Sequence, residues 1–522
     1  MQTAREKGSY NVDNPTGYLL PALEPLDQYN RELAANVHPS DWENPKPKAR
    51  YDLVVIGAGT AGLVSAAGAA GVGASVALIE KDLMGGDCLN VGCVPSKALI
   101  RAARAHAEAR GSGDFGVMCD GPLHSNFPAV MERMRRLRAG ISHHDSARRF
   151  RDLGIDVFIG KGTFNDDLSV SVGAHRLRFA KAVIATGARA VELPIPGIRE
   201  AGYVTNETVF SLTTLPQRLA VIGAGPIGCE LAQAFARFGS KVTLLEQGKQ
   251  LLPREDREAA AAVERALQRD GVQINASCEI KGVSREGAEK MITLEGPDES
   301  GSLRVDEILI GVGRAPNVDG LNLQAVGVQF DRRTGVKVDD HLRTTNRRIF
   351  AAGDICFPYK FTHTADAMAR IVIQNALFFG RKKTSSLVIP WCTYTDPEIA
   401  HVGLYPAEAQ TRGIAMETIM VRMDEVDRAI LDSQSDGFLK VHVQKKSGRI
   451  LGATIVASHA GDMISELTVA ITAGVSLGKL GSVIHPYPTQ AEVIKRAGDM
   501  FNRRRLTPFA KKILAILLKV NW

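Results

Sequence analysis

Short apolar runs closed by glycine turns set the rhythm of this chain. At Tyr51 the run YDLVVI leads into the turn GAGTAG, an alanine-rich stretch of helical length follows, and a second apolar run, SVALIE, closes on an acid at Glu80. Continuous apolar runs of this length, bounded by glycine, predict strands buried on both faces, as in a parallel sheet. Residues Tyr51 to Lys81 therefore read as strand, turn, helix and strand. The pattern then returns: RLAVIG, the turn GAGPIG, a helix from Cys229, and KVTLLE ending at Glu246. Glu80 and Glu246 each stand 23 positions after the first glycine of their turn.

The glycines have separable tasks. Gly57 permits the tight turn, Gly59 lets the backbone approach a pyrophosphate, and Gly62 allows close packing of helix on strand. Gly223, Gly225 and Gly228 repeat the arrangement. A helix N-terminus follows each turn and offers free amides to an anion, while Glu80 or Glu246 is placed to hydrogen-bond a ribose hydroxyl. One such turn is degenerate and can be an ordinary glycine turn. Two, each in full strand-helix-strand context and each closed by an acid, predict two dinucleotide cofactors exchanging electrons, FAD in the first site and a nicotinamide in the second. Glu246 accepts from a free 2′-hydroxyl and repels a 2′-phosphate, so NADH is expected. NADPH is the alternative, because Gln247 and Lys249 lie close by.

Composition narrows the class. With 522 residues, 50 of them glycine, 45% hydrophobic and 23% charged, the chain is long enough for several domains and suits an α/β protein. The formal charge of +7 is spread among acidic neighbours except at the two ends, so nucleic acid is not an expected partner. Seven irregularly spaced cysteines do not form a disulfide framework, and MQTAREKGSYNVDN has no apolar stretch of signal-peptide length. The expectation is a cytoplasmic protein with no membrane-spanning segment.

The segment GGDCLNVGCVPSK holds Cys88 and Cys93. Residues five apart in a regular helix are displaced by about 7.5 Å along its axis, whereas a disulfide prefers a Cα separation of roughly 5.5 Å. A redox-active pair therefore needs a bend, which Gly92 and Pro95 make possible. Buried unreactive thiols or half of a zinc site are the alternatives. No other close Cys or His pair supplies remaining ligands, so no metal centre is expected.

GGDCLNVGCVPSK resembles the active-site signature of the class I pyridine nucleotide-disulfide oxidoreductases, which include dihydrolipoamide dehydrogenase, glutathione reductase and mercuric reductase. The likeness runs from about Tyr51 to Asn502, through ATGARA, GVGRAPN, FAAGDI, YTDPEIAHVG and HPYPTQAE. It implies two Rossmann-like domains, for FAD and NAD, and a C-terminal α+β dimerisation domain. The boundaries implied are an N-terminal extension over 1–50, an FAD domain over 51–190 completed by 316–388, an NAD(P) domain over 191–315, and an interface domain over 389–502. It also implies that hydride passes from nicotinamide to flavin and then to the disulfide. Cys93 would be the thiolate against the flavin and Cys88 the interchange thiol facing substrate. Lys97 and Glu230 would form an ion pair near flavin N5, and Lys97 would favour the Cys93 thiolate. Asp354 would bind the ribityl chain, with further cofactor contacts from Lys81, Gly86, Asp87, Ala185, Thr186, Gly187 and Gly313. Tyr487 and Glu492 of one subunit of a homodimer would complete the site at Cys88 of the other.

The resemblance breaks at Tyr487. Members that exchange dithiols carry histidine before Pro488 and Thr489, oriented by the glutamate at Glu492. A phenol with an ordinary pKa near 10 is a poor proton shuttle at pH 7, where imidazole near 6.5 is well matched. His485, two residues earlier, reads as a packing or hydrogen-bonding histidine. Tyrosine here resembles mercuric reductase and related metal or quinone reductases. The chain nevertheless lacks their C-terminal vicinal cysteines and an N-terminal CxxC module. The expected activity is transfer of electrons from NADH through FAD and Cys88/Cys93 to a non-dithiol acceptor, a metal ion or quinone. The alternatives are a dihydrolipoamide dehydrogenase or other disulfide reductase, and a redox-sensing flavoprotein. Residues 503–522 predict a basic amphipathic helix, N-capped by Thr507 and opened by Pro508. It either covers its own dimer or makes peripheral contact, through residues 505–522, with the inner face of a membrane.

Overall fold

A computed structural model describes residues 23–118, 121–296, 300–504 and 506–520. Residues 1–22 of the N-terminal extension expected over 1–50, and the side chains beyond Lys519, lie outside them. The chain divides into two compact units, one comprising residues 1–223, 237–241 and 280–387, the other residues 224–236, 242–279 and 388–522.

The first unit is organised by five parallel strands. Asp156–Ile159, Val76–Glu80, Tyr51–Ile56, His175–Ile184 and Ile349–Ala351 lie side by side in that order. The N-terminal half of His175–Ile184 instead pairs antiparallel with Ser169–Val172, which pairs with Gly162–Asp166. Leu53, Val54, Val55, Val76, Ala77 and Leu78 are fully buried, as strands covered on both faces must be. Helix Thr60–Gly71 packs against helix Thr362–Leu377, closely enough that a Cβ on Gly68 would lie 2.4 Å from Ile373 Cδ1. In the repeat, Arg218–Ile222 pairs in parallel with Glu307–Ile310.

The arm over residues 23–50 contributes helix Gln28–Val37. It is tied down through buried Arg138, which donates to the Asn30 side chain at 2.7 Å and to the Asn90 carbonyl at 2.6 Å.

The second unit contains a five-stranded antiparallel sheet, ordered Pro390–Thr393, Glu398–Gly403, Ile450–Ala457, Phe438–Gln444 and Met416–Arg422. Helices Ala460–Thr472 and Glu492–Arg504 supply Leu467, Val493, Ile494 and Ala497 to its core. Parallel sheet with covering helices in one unit and antiparallel sheet with helices in the other make the mixed α/β architecture expected from the sequence. Among the described residues no helix is long and apolar enough to cross a membrane.

Candidate active site

The first glycine turn is built as its spacing requires. Gly57 has φ +102°, and a Cβ there would lie 2.4 Å from the Ala185 carbonyl oxygen. A Cβ on Gly62 would lie 1.8 Å from the Gly57 carbonyl oxygen, so only glycine lets the helix pack this closely. Gly59 differs: the nearest atom to a Cβ there is Gly86 Cα, at 3.7 Å. Protein does not demand glycine at that position, which leaves the space free for a pyrophosphate at the start of helix Thr60–Gly71. Glu80 is buried, and its carboxylate accepts from the amides of Ala58 at 2.6 Å and Asp82 at 2.8 Å. Loss of solvent raises its pKa despite those bonds. The FAD expected here fits this cradle, in which Gly57, Gly59, Gly62 and Glu80 would hold its adenosine diphosphate half.

The second turn repeats this geometry. Gly223 has φ +97°, and Glu246 accepts from the amides of Ala224 at 2.8 Å and Gly248 at 2.7 Å, the counterparts of the Ala58 and Asp82 bonds. Gly225 accepts from the Cys229 amide at 3.0 Å, opening the helix Pro226–Phe238 that contains Gly228.

The cysteine segment meets the first turn directly. Gly86, at φ +57°, approaches so closely that a Cβ would lie 2.7 Å from Gly59 Cα. Cys88 lies on the short helix Gly86–Asn90, and Cys93 is the first residue of helix Cys93–Arg110, with Gly92 between them at φ −130°, ψ −115°. The expected bend is therefore a break between two helices. Gly92 is required by proximity: a Cβ would lie 2.7 Å from the Asp87 carbonyl oxygen. Pro95 sits in the first turn of the second helix, where its missing amide is harmless.

Cys93 is exposed and Cys88 partly so. The Cys88 thiol is held well above the ordinary thiol range by its hydrogen bond to Cys93, and then by burial. The Thr362 hydroxyl opposes that shift and lies 3.4 Å from Cys93 Sγ. The bond to Cys93 and burial both favour the protonated form of Cys88, and Cys93 stands at the N-terminal end of its helix.

Ala185, Thr186 and Gly187 are stapled to the GVGRAPN segment. Thr186 Oγ1 donates to the Asn317 carbonyl at 2.9 Å, and Asn317 Nδ2 returns a bond to the Thr186 carbonyl at 2.9 Å. Gly313 has φ +59°. The next residue, Arg314, is half-buried, pairs with Asp87 and lies 3.6 Å from Asp354 Oδ2. Burial raises the Asp354 pKa, against the charges of Arg314 and Lys360. Lys81 is exposed and pairs with Asp82 at 3.0 Å.

Residue Lys97 belongs to the first unit, on helix Cys93–Arg110. Glu230, Glu246, Tyr487 and Glu492 belong to the second. Glu230 is buried and accepts from the Tyr394 amide at 2.9 Å. Tyr487 is 70% exposed and donates its hydroxyl to Asp427 at 2.8 Å, which raises the phenol pKa above its ordinary value. Glu492 instead binds Arg496 at 3.0 Å. His485 lies 3.0 Å from Glu466 through Nε2 and 3.2 Å from the Val483 carbonyl through Nδ1, the hydrogen-bonded histidine expected. Among the described residues no cluster of three His, Cys, Asp or Glu side chains is placed to hold a metal ion.

Three residues of these sites escaped sequence reasoning. Arg314 was within reach, because it stands in the quoted segment GVGRAPN. Thr362 and Asp427 carry no spacing signal, since only the fold brings them to Cys93 and Tyr487.

Comparison with known proteins agrees with this arrangement. Residues 51–369 match the family described as pyridine nucleotide-disulphide oxidoreductase, and residues 389–498 match its dimerisation domain, which supports a homodimer. The chain is 35% identical over 457 residues to a mercuric reductase of Streptomyces lividans, covering 86% of this chain and 96% of that protein. It is also 35% identical over 459 residues to a dihydrolipoyl dehydrogenase of Bacillus subtilis (strain 168), with the same coverage. Among solved structures, the Cu(II) complex of the HOCl-induced flavoprotein disulfide reductase RclA from Escherichia coli superposes with a TM-score of 0.78 at 29% identity, covering 87% of this chain and all of that one. The chain belongs to the pyridine nucleotide-disulphide oxidoreductase family, enzymes that depend on FAD and use NAD(P)H.

Proposed function

We propose that this enzyme takes electrons from NADH and delivers them, through Cys88 and Cys93, to a small acceptor that is not a dithiol, a metal ion or a quinone. The observation that carries the reading is the environment of Tyr487. Its phenol is committed to Asp427 and its pKa is raised, so the position that needs an imidazole for dithiol exchange has a group that neither gains nor loses a proton near pH 7. His485, held by Glu466 and the Val483 carbonyl, is no substitute. The similarity to mercuric reductases, and to a reductase solved as a Cu(II) complex, supports a metal acceptor. The equal identity to a dihydrolipoyl dehydrogenase makes dihydrolipoamide the control.

FAD and the nicotinamide, when bound, supply hydride and electron transfer. The chain's residues do the rest. The two glycine turns would anchor the cofactors' phosphates, with Glu80 and Glu246 at the riboses, and Glu246 favours NADH over NADPH. Asp354, Gly86, Asp87, Gly187 and Gly313 would line the flavin, with Lys97 and Glu230 as the ion pair beside it. Two electrons and one proton would convert the Cys88–Cys93 disulfide to a Cys88 thiol and a Cys93 thiolate. Cys93 then holds the thiolate while Cys88 meets the acceptor, and the disulfide re-forms as two electrons pass to the acceptor and the Cys88 proton is released. In the homodimer, Tyr487 and Glu492 of one subunit would face Cys88 of the other. The enzyme would work in the cytoplasm, with residues 505–522 free for contact at the inner face of a membrane.

Steady-state rates with Hg(II), Cu(II), a quinone, glutathione disulfide and dihydrolipoamide test the reading. Turnover of Cu(II), Hg(II) or quinone that is lost in Cys88→Ser is expected. Fast dihydrolipoamide or glutathione turnover refutes it.

A further inference from the structure

We propose that the C-terminal helix Pro508–Val520 is an in-plane anchor for an anionic phospholipid surface. The inference extends the cytoplasmic reading above and needs nothing from the identity of the acceptor.

The helix forms as its sequence dictates. The Thr507 hydroxyl accepts from the Ala510 amide at 3.2 Å, and Pro508 opens the first turn. At 100° per residue, Lys511, Lys512 and Lys519 fall within about 100° of arc, and Phe509, Ile513, Leu514, Ile516, Leu517 and Leu518 fill most of the remainder. Such a helix ordinarily buries its apolar face in its own domain. The preceding helix does so, sinking Val493, Ile494, Ala497 and Phe501 into the core. Pro508–Val520 does not: from Phe509 to Lys519 none of its side chains is buried, and Phe509 is 72%, Ile516 61% and Leu518 66% exposed.

Two features choose the occupant of that face. From Met500 to Trp522 the chain carries six Lys or Arg and no Asp or Glu. A second copy of the helix, seated apolar arc to apolar arc, would bring the same cations and no counter-charge for them. An anionic headgroup layer neutralises it. Length decides the mode of binding. The helix has 13 residues and is therefore about 20 Å long, too short to cross a hydrocarbon core of about 30 Å. It lies along the surface, its apolar arc among the acyl chains and its lysines at the headgroups.

The test is co-sedimentation of the full-length, flavin-loaded enzyme with vesicles of phosphatidylcholine alone or of phosphatidylcholine and phosphatidylglycerol in equal parts. The enzyme is expected to pellet with the anionic vesicles only, and to release as salt is raised. Because each basic residue near an anionic surface strengthens partitioning about fivefold, the triple variant Lys511→Gln, Lys512→Gln, Lys519→Gln is expected to bind on the order of 100-fold more weakly. Leu517→Asp, on the apolar arc, is expected to abolish pelleting and leave the dimer intact in analytical ultracentrifugation. Failure of the parent to pellet with anionic vesicles overturns the proposal. So does conversion of the dimer to monomer by Leu517→Asp, which would assign the face to a second copy. Vesicle binding is read without NADH, so its failure leaves the redox reading standing. Loss of acceptor turnover would likewise leave the anchor untouched.

Discussion

Replacing Gly59 and Gly62 separately by alanine divides what the first turn does for the fold from what it does for the cofactor. At Gly62 the new methyl would lie 1.8 Å from the Gly57 carbonyl oxygen and 2.9 Å from the Gly57 carbonyl carbon. Both are backbone atoms of a strained turn, so neither can swing aside, and the helix must lift from the sheet. Overpacking of this kind costs about 1–3 kcal/mol where side chains absorb it, and more here, against a total stability of about 5–15 kcal/mol. At Gly59 the methyl meets only Gly86 Cα at 3.7 Å, an ordinary contact, and the backbone has φ −76°. Alanine there should change stability by less than about 0.5 kcal/mol. The methyl nevertheless occupies the approach to the free amides of helix Thr60–Gly71. Gly59→Ala is therefore expected to unfold at the same denaturant midpoint as parent apoprotein yet purify with little flavin. Gly62→Ala is expected to lose several kcal/mol whether or not flavin is supplied. Chemical denaturation of the apoproteins, read beside flavin absorbance per mole of protein, checks both. A Gly59→Ala protein that retains full flavin would show that the open space is not the pyrophosphate site.

Three further outcomes follow from the geometry. Thr362→Val removes a hydroxyl that favours ionisation of the dithiol. At about 1 kcal/mol for a long sulfur hydrogen bond, the reduced enzyme's alkylation profile should move up by roughly 0.7 pH unit, and an unmoved profile would exclude Thr362 from the thiol pair. Asp427→Asn takes away the charge that holds up the Tyr487 phenol, so its ultraviolet titration should shift toward lower pH, a change that vanishes in Tyr487→Phe. Buried His442 has Nε2 without a hydrogen-bond partner among the described residues, and burial lowers its pKa to about 4. Because the folded value lies below the unfolded value of about 6.5, the neutral ring's contribution is complete above pH 6.5 and is lost as pH falls toward 4. Between pH 7 and 5 the parent should lose about 2 kcal/mol more than His442→Gln in denaturant titrations, and equal losses would refute the assignment.

What the sequence disclosed was whatever its own local spacing forces. The glycine turns were legible because φ above zero at Gly57 and contact between Gly62 and Gly57 are imposed by residues a few positions apart. The break between Cys88 and Cys93 was legible for the same reason, since helix geometry forbids the pairing otherwise. The Thr507 cap and its helix were likewise local. Arg314, Thr362 and Asp427 were not, because each reaches its partner across a long stretch of chain: Arg314 to Asp87, Thr362 to Cys93, Asp427 to Tyr487. The task of Gly92 was half legible. Its position suggested backbone freedom, but the structure shows that closeness to the Asp87 carbonyl is what excludes a side chain.

The same division explains why the electron donor was easier to read than the acceptor. A dinucleotide carries a pyrophosphate and a ribose, and those groups dictate glycine, a helix end and an acid at fixed intervals, so the cofactor leaves a periodic trace in the chain. A metal ion or small quinone dictates only access to one sulfur and a suitable proton inventory around it. That inventory is assembled from residues far apart in sequence, and its members can change one at a time without disturbing any element. Tyr487 is such a change: the phenol turns to Asp427, and Glu492 binds Arg496 through Oε1 while its buried Oε2 has no hydrogen-bond partner among the described residues. Under the function proposed above, acceptor choice rests on the absence of a proton shuttle rather than on addition of a binding motif. On that account Tyr487→His alone should restore little dithiol exchange, because Asp427 and Arg496 would still hold the groups that must orient the new ring.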